Sequence, residues 1–303
     1  MLIEMAVKEF IAEKKFEKLT ENSLMNYNNF FKVWNEWLAQ EGIKHINELS
    51  PKVNKQFLSY CQEVNGNKPK TVNTKLKLMR TFCKWLLEEQ LTEVELCKGV
   101  KAQREEDNPK ILSEQDLQAV LRHLRRSRRR ENTFHSRRNY IIILALAGTG
   151  MRLHELTSLN WNDVDFESSL ITIQTSKSRK RQSIPLSDTL SLELEDWKRY
   201  LEGELSKLPQ AVFVSDKGKR LEDDSVQNVF KRLKKSVGIE GYFSPHVLRN
   251  FYIKQLLKGG ANLREVQLLA RHSKIEITKG YVGYFAHELK ETLDDNNPLR
   301  GLL

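Results

Sequence analysis

Apolar residues recur every three or four positions through most of the chain, the period of helices with one buried face. In "SLMNYNNFFKVWNEWLAQEG" the stripe is Leu24, Tyr27, Phe31, Trp34 and Leu38, and Gly42 supplies a stop. "NELSPKVNKQFLSYCQE" predicts a second helix. Ser50 is its N-cap and Pro51 sits in the first turn, where a missing N–H costs nothing. "KTVNTKLKLMRTFCKWLLEEQ" predicts a third, with Val72, Leu76, Met79, Phe82 and Leu86 on one face. The period then breaks. Residues 98–110 are polar, contain Pro109 and precede Ser113, which stands at capping-box spacing from Asp116. The pattern predicts a helical domain over 1–97, a linker over 98–110 and a second domain over 111–303.

The second domain opens with a helix and the basic block "RRSRRRENTFHSRRN", read as surface, either looping over a polyanion or forming an exposed insertion. The apolar helix "NYIIILALAG" follows and ends at Gly148 and Gly150. The period changes to two only in "LITIQ" and "QSIPL", β-branched runs separated by a basic turn. Helical spacing resumes in "TLSLELEDWKRYLEGEL", "DSVQNVFKRLKKSV", "SPHVLRNFYIKQLLKGG" and "NLREVQLLAR". The expected fold class is mainly α with a small antiparallel β-sheet in the C-terminal domain.

Composition narrows the function classes. No run of eighteen apolar residues occurs, so no membrane span is expected. The N-terminus lacks the apolar core and cleavage site of a secretion signal, so the cytoplasm is the expected compartment. Cys61, Cys83 and Cys97 are an odd number without a CxxC, expected as buried free thiols in a reducing compartment rather than zinc ligands. The net charge is +10. Residues 1–107 hold 17 Lys+Arg against 16 Asp+Glu, and the remainder holds 33 against 24, so +9 of it lies in the second part. Such a surface favours a polyanion, because phosphate contacts release condensed counterions, although ordinary solubility charge has the same composition. Lys70, Lys75, Lys77, Arg80 and Lys84, mostly off the apolar stripe of the third helix, either track a phosphate backbone or form a solvated face.

Four places in the second domain set cationic or nucleophilic residues beside apolar helix faces. In "GTGMRLHEL", Arg152 opens a short helix with Glu155 three residues on; the acid either holds the guanidinium in place or makes a surface ion pair. In "TSKSRKRQSIPL", Lys177, Arg179, Lys180 and Arg181 crowd a hairpin turn that either presents a lysine to a backbone or is a solvated tip. In "SPHVLRNF", Ser244 caps a helix carrying His246 in its first turn and Arg249 one turn on. Cations there oppose the helix dipole, which makes sense where a phosphate binds the exposed N–H groups. The last stretch, "LARHSKIEITKGYVGYFAHEL", holds His272, Tyr281, Tyr284 and His287.

Together and in this order, the chain resembles the tyrosine recombinases, the phage integrase family, of the compact type that resolves dimers or is borne by transposons. "TGMRLHEL" is similar to the family's first arginine box, and "TSKSRKRQSIPL" to its lysine hairpin. "HVLRNFYIKQLLKGGANLREVQLLARHSKIEITKGY" is similar to the His-x-x-Arg, Leu-Gly-His and tyrosine boxes without a gap. The likeness runs through residues 110–290, and more loosely into the helical core-binding domain before them. It implies a two-domain tyrosine recombinase architecture. It implies Arg152 and Arg249 as the arginine pair, Lys177 as the hairpin lysine and His246 as the box histidine. His272 takes the second histidine position, and Tyr281, nine residues after it, is the nucleophile. Tyr284 is expected to pack or hydrogen-bond beside it, and His287, past the motif, to be structural. Lys70, Lys75, Lys77, Arg80, Arg179, Lys180 and Arg181 are the expected DNA contacts.

The chemistry implied is cleavage and rejoining of DNA through a 3′-phosphotyrosine, with strand exchange through a Holliday junction and no cofactor. The implied partners are duplex DNA with inverted-repeat sites and a homotetramer exchanging its C-terminal tails, which begin near residue 288. Nucleoid-associated action in the cytoplasm follows. Two rival expectations are relaxation of DNA by a type IB topoisomerase, and a catalytically silent DNA-binding protein on the same scaffold. Two positions depart from the family pattern. Arg271 stands where glycine is usual, and Asn250 where histidine or serine is common.

Overall fold

Local sequence chemistry sets the helix ends. The computed structural model describes residues 1–105, 110–174, 181–272 and 274–282. The chain divides into two compact units, Met1–Asp107 and Asn108–Leu303. The first holds α1 (Ile3–Phe16), α2 (Glu21–Gln40), α3 (Pro51–Glu63) and α4 (Pro69–Glu88). The Thr20 and Ser50 hydroxyls accept from the Ser23 and Val53 N–H groups, closing the first turns of α2 and α3. Phe10 of α1 meets Tyr27, Phe31, Phe82 and Trp85 edge-on at 5.1–5.8 Å between ring centroids, the geometry that sets a ring's positive edge against a negative face. Tyr27, Phe31, Trp34 and Leu38 of α2 are buried, as is the whole predicted stripe of α4. All three cysteines are buried and free.

The cations of α4 divide by their surroundings. Lys75 donates to the Cys61 thiol at 3.2 Å and lies over the Phe57 ring, and Arg80 donates to the Val100 carbonyl. Lys70 and Lys77 are exposed, and Lys84 pairs with Glu88 at 3.0 Å.

The second unit contains α5 (Glu114–Glu131), α6 (Phe134–Thr149), α7 (Leu153–Ser158), β1 (Val164–Asp165), β2 (Leu170–Gln174) and β3 (Arg181–Pro185). These are followed by α8 (Asp188–Glu204), α9 (Asp223–Val237), α10 (Pro245–Lys258), α11 (Leu263–Ala270) and α12 (Ile275–Val282). The Ser113 hydroxyl caps α5 and donates to Asp116 at 2.8 Å. The strands form an antiparallel sheet in the order β1-β2-β3, with Ile171 opposite Ile184. β1 was not foreseen, because two residues are too short to show alternation. α6 is apolar around most of its circumference and runs through the core: Tyr140, Ile141, Ile142, Ile143, Ala145 and Leu146 are all buried. Among the described residues no helix is long and apolar enough to cross a membrane.

The basic block is helical rather than a loop or an insertion, and much of it is surface as its composition predicts: Arg125, Arg126, Arg129, Arg130 and His135 are exposed. Its first half continues α5 to Glu131, and Asn132 ends the helix in the left-handed region at φ 47°. Arg128 then bonds Glu193 at 2.6 Å and Asp196 at 2.8 Å, both on α8, while Arg137 reaches Asp196 at 3.2 Å. Arg128 and Arg137 also lie over the Tyr140 and Tyr200 rings. These arginines tie α5 and α6 to α8, a packing role that charge counting does not distinguish from phosphate contact.

One glycine shapes the ground on which the cationic residues stand. Gly150 ends α6 at φ +58°, and a Cβ there would lie 2.3 Å from the Tyr252 ring of α10. Only glycine meets both demands, and the tight approach brings its carbonyl within reach of α10 and the end of α11.

Candidate active site

Four chain segments converge: the end of α6, the start of α7, the first turns of α10, and the end of α11. Arg152 is the N-cap of α7. Glu155, three residues on, accepts from the Arg152 backbone N–H at 2.9 Å and from Nη1 at 2.7 Å. Arg152 Nη2 donates across to the Arg271 carbonyl at 3.1 Å. The pair is thus more than a surface ion pair: the Glu155 side chain is only 10% exposed, while that of Arg152 remains 48% exposed.

Arg249 comes from α10, whose N-cap Ser244 accepts from Val247 N–H at 3.3 Å and whose first residue is Pro245. It is buried, with Nη1 donating to the Gly150 carbonyl at 2.6 Å and Nη2 to the Ala270 carbonyl. Two of a guanidinium's five donors are thereby spent on backbone, leaving three. Burial, then the Arg152 and Arg271 cations, push its pKa down to about 10, so it stays charged at neutral pH. Arg152, Arg249 and the exposed His246 line one cleft of about 540 Å³, with Gln227 and Lys231 of α9 also on its wall.

Arg271 occupies the left-handed position after α11 at φ 55°, where the resemblance leads one to expect glycine. A side chain there costs roughly 1–2 kcal/mol of backbone energy. Its guanidinium is buried and meets Glu155 at 2.8 Å. Burial alone would raise the Glu155 carboxyl, but Arg271 and Arg152 outweigh it and hold the group below the usual carboxylate range. The next residue, His272, bonds Thr278 Oγ1 through Nδ1 at 2.9 Å and stacks on the Tyr281 ring, centroids 6.3 Å apart.

Burial, then the charges of Arg249, Arg152, Arg271 and His246, lower the His272 pKa from 6.5 to about 4. The imidazole is therefore neutral near pH 7, with one N–H to donate. Because the folded pKa lies below the unfolded one, the unfolded chain binds the proton first. The resulting stability is complete above pH 6.5 and is lost as pH falls toward about 4. His272→Asn should flatten that loss: its urea midpoint should fall less than the wild-type midpoint between pH 7 and pH 5. Equal falls would contradict the assignment.

Tyr281, on α12, is buried, and its hydroxyl donates to Asn250 Oδ1 at 2.8 Å. Asn250 is buried as well and donates through Nδ2 to the Lys110 carbonyl at 3.0 Å. The structure thus brings Arg152, Arg249, His246, His272 and Tyr281 to neighbouring elements of one unit. Lys177, Arg179, Lys180, Tyr284, His287 and the tail from 288 lie outside the described residues, as does the side chain of Arg181. The described strands β2 and β3 pair as the hairpin predicts, Gln174 opposite Arg181. Asn250 and Arg271 stand out in the sequence as departures from the family pattern with no partner evident; spacing says which residues share a face, not which atom accepts a bond.

Residues 110–287 match the phage integrase family, and residues 7–90 match the phage integrase N-terminal SAM-like domain. Tyrosine recombinase XerC of Bacillus pumilus is 26% identical over 303 residues, spanning 98% of this chain and 96% of that protein. The Tn1549 transposon integrase in complex with transposon right end DNA superposes with a TM-score of 0.78 at 17% identity, over 93% of this chain and 94% of that one. A lambda integrase tetramer bound to a Holliday junction gives 0.74 at 14% identity, over 93% and 77%. The chain belongs to the phage integrase family. It is a tyrosine site-specific recombinase, an enzyme that recombines DNA.

Proposed function

We propose that Tyr281 attacks a DNA phosphodiester held by Arg152 and Arg249, leaving a 3′-phosphotyrosine and a free 5′ hydroxyl. The observation that carries this reading is the convergence of two guanidiniums and His246 on one cleft, with Tyr281 bonded to the residue next to Arg249. Attack builds negative charge on the nonbridging oxygens, and paired guanidinium donors match those oxygens. In the tautomer whose Nδ1 accepts from the Thr278 hydroxyl, neutral His272 offers Nε2–H as a further donor. A phenol of pKa ~10 needs a base, and His246 on the cleft wall is the candidate. The bond from Tyr281 to Asn250 must open before attack, because an oxygen donating to an amide is not poised on phosphorus. A phosphotyrosine conserves the energy of the diester, so the 5′ hydroxyl of a second strand reseals the break without ATP.

The leaving 5′ oxygen must gain a proton, and Lys177 is assigned as the acid. Lys177→Ala should cleave an ordinary duplex ~10²–10⁴-fold more slowly, the range for a lost general acid. A substrate with sulfur at the 5′ bridging position, a leaving group that needs no proton, should restore most of the rate. A deficit that persists on the sulfur substrate would remove Lys177 from that role.

The finer assembly follows the same reading: a homotetramer on inverted-repeat duplex sites, with exchange through a four-way junction. Support comes from the shared fold with the junction-bound lambda integrase tetramer, and from the spaced leucines Leu289, Leu293 and Leu299 in the tail. Sites selected by binding from a random duplex pool, placed twice in a supercoiled plasmid, test the function. Recombinant circles are expected. Relaxation without recombinants, irrespective of site, would mark a topoisomerase instead.

A further inference from the structure

Arg271 is a third guanidinium in a site that the family resemblance furnishes with two. It is held in a left-handed backbone conformation that glycine would adopt without strain, yet the chain places there a long, buried cation. Its Nη1 donates to the Leu269 carbonyl at 2.9 Å, and its Nη2 to Glu155 Oε2 at 2.8 Å. Its Nε is buried with no hydrogen-bond partner among the described residues, so stability alone is a poor account of the choice. The contacts close a ring. The Arg271 guanidinium holds Glu155, Glu155 holds the Arg152 guanidinium and backbone N–H, and Arg152 Nη2 returns to the Arg271 carbonyl.

Charge gives the ring its consequence. A carboxylate paired with Arg152 alone would neutralise the charge that a phosphate has to meet. Shared between two guanidiniums, the same carboxylate leaves the group with a net charge of +1. The position matters as much. Arg152 is half exposed and has a long, freely rotating side chain, so its orientation in the cleft depends on what grips it from behind.

We propose that Arg271 is a positioning residue of the phosphate clamp: by sharing Glu155 with Arg152 it fixes the Arg152 fork at the cleft and keeps that charge available to the scissile phosphate. The proposal rests on the assignment of Arg152 to that phosphate.

Single-turnover formation of the covalent complex is the test, on suicide duplexes with either an ordinary or a methylphosphonate linkage at the cleavage position. Arg271→Gly relieves the backbone strain while removing the guanidinium, so the fold is expected to persist. Its rate on the ordinary duplex should fall ~10–100-fold, the usual effect of losing a group that orients a binding residue, with DNA affinity within about threefold. Arg271→Lys keeps the charge without the fork, and should recover part of the rate. On the methylphosphonate, which lacks the charged oxygen a clamp serves, the Arg271→Gly deficit should shrink to about threefold. A merely structural defect would carry over undiminished, and that outcome overturns the proposal. So does a wild-type rate for Arg271→Gly on the ordinary duplex while Arg152→Ala is inactive. Should Arg271→Gly not fold, an Arg271→Lys deficit equal on both duplexes is the refuting result. An Arg152→Ala enzyme that cleaves normally would instead sink the assignment of Arg152 itself.

Discussion

Tyr281→Phe is expected to bind its DNA site with near-normal affinity and to form no covalent complex. The substitution keeps the ring and its stack on His272, and removes only the oxygen that would bond to phosphorus. Its structural cost is the lost bond to Asn250, whose buried Oδ1 is left without that donor, roughly 1–3 kcal/mol. That is a modest part of a domain's stability, so binding and folding survive. The chemical cost is of another order. A loss of at least ~10⁴-fold in the cleavage rate, ~5.4 kcal/mol or more in the barrier, is expected when no nucleophile remains. Tyr284→Phe should form the adduct at the wild-type rate. A covalent band from Tyr281→Phe, or its loss in Tyr284→Phe, would move the nucleophile elsewhere.

Arg249→Lys should have the second-largest effect. Arg249 gives two donors to the Gly150 and Ala270 carbonyls and retains three, so the backbone fixes its plane before any phosphate arrives. Lysine keeps one charge but has no fork, and cannot grip two carbonyls and a phosphate together. Losing a preorganised donor at a developing oxyanion costs ~10²–10³ in rate. Arg249→Ala should be worse in both respects, since it also strips donors from carbonyls at the ends of α6 and α11. Thermal denaturation separates the effects: Arg249→Lys should retain most of the melting temperature while losing most of the cleavage rate. A lysine variant within about threefold of the wild-type rate would contradict the clamp, given the expected size of the loss.

The helical stripes were legible because burial imposes a period on side chains. Tyr27, Phe31, Trp34 and Leu38 could be read off as one face, and they are buried. The boxes around Arg152, His246, Arg249 and Tyr281 were legible because their order and spacing are characteristic as a set. Contacts across the fold were not. Nothing in the spacing of Asn250 says that it accepts from Tyr281, 31 residues on, while donating to the Lys110 carbonyl. Arg271 was visible as a substitution for glycine, but its partner Glu155 lies 116 residues away. The basic block was legible as surface, since Arg125, Arg126, Arg129 and Arg130 are exposed, but a run of like charges does not say that it continues a helix or that Arg128 and Arg137 find carboxylates on α8, which only the packed fold brings near.

Trapping the intermediate tests the central claim most directly. A duplex carrying the enzyme's site, nicked so that a short 5′-hydroxyl fragment diffuses away after cleavage, should accumulate a denaturant-resistant protein–DNA complex. Peptide mapping of that complex should place the bond on Tyr281, joined to the 3′ end of the cut strand, with a 5′ hydroxyl on the released fragment. An adduct on another residue, a bond to the 5′ end, or cleavage that releases both ends without a covalent protein would contradict the account.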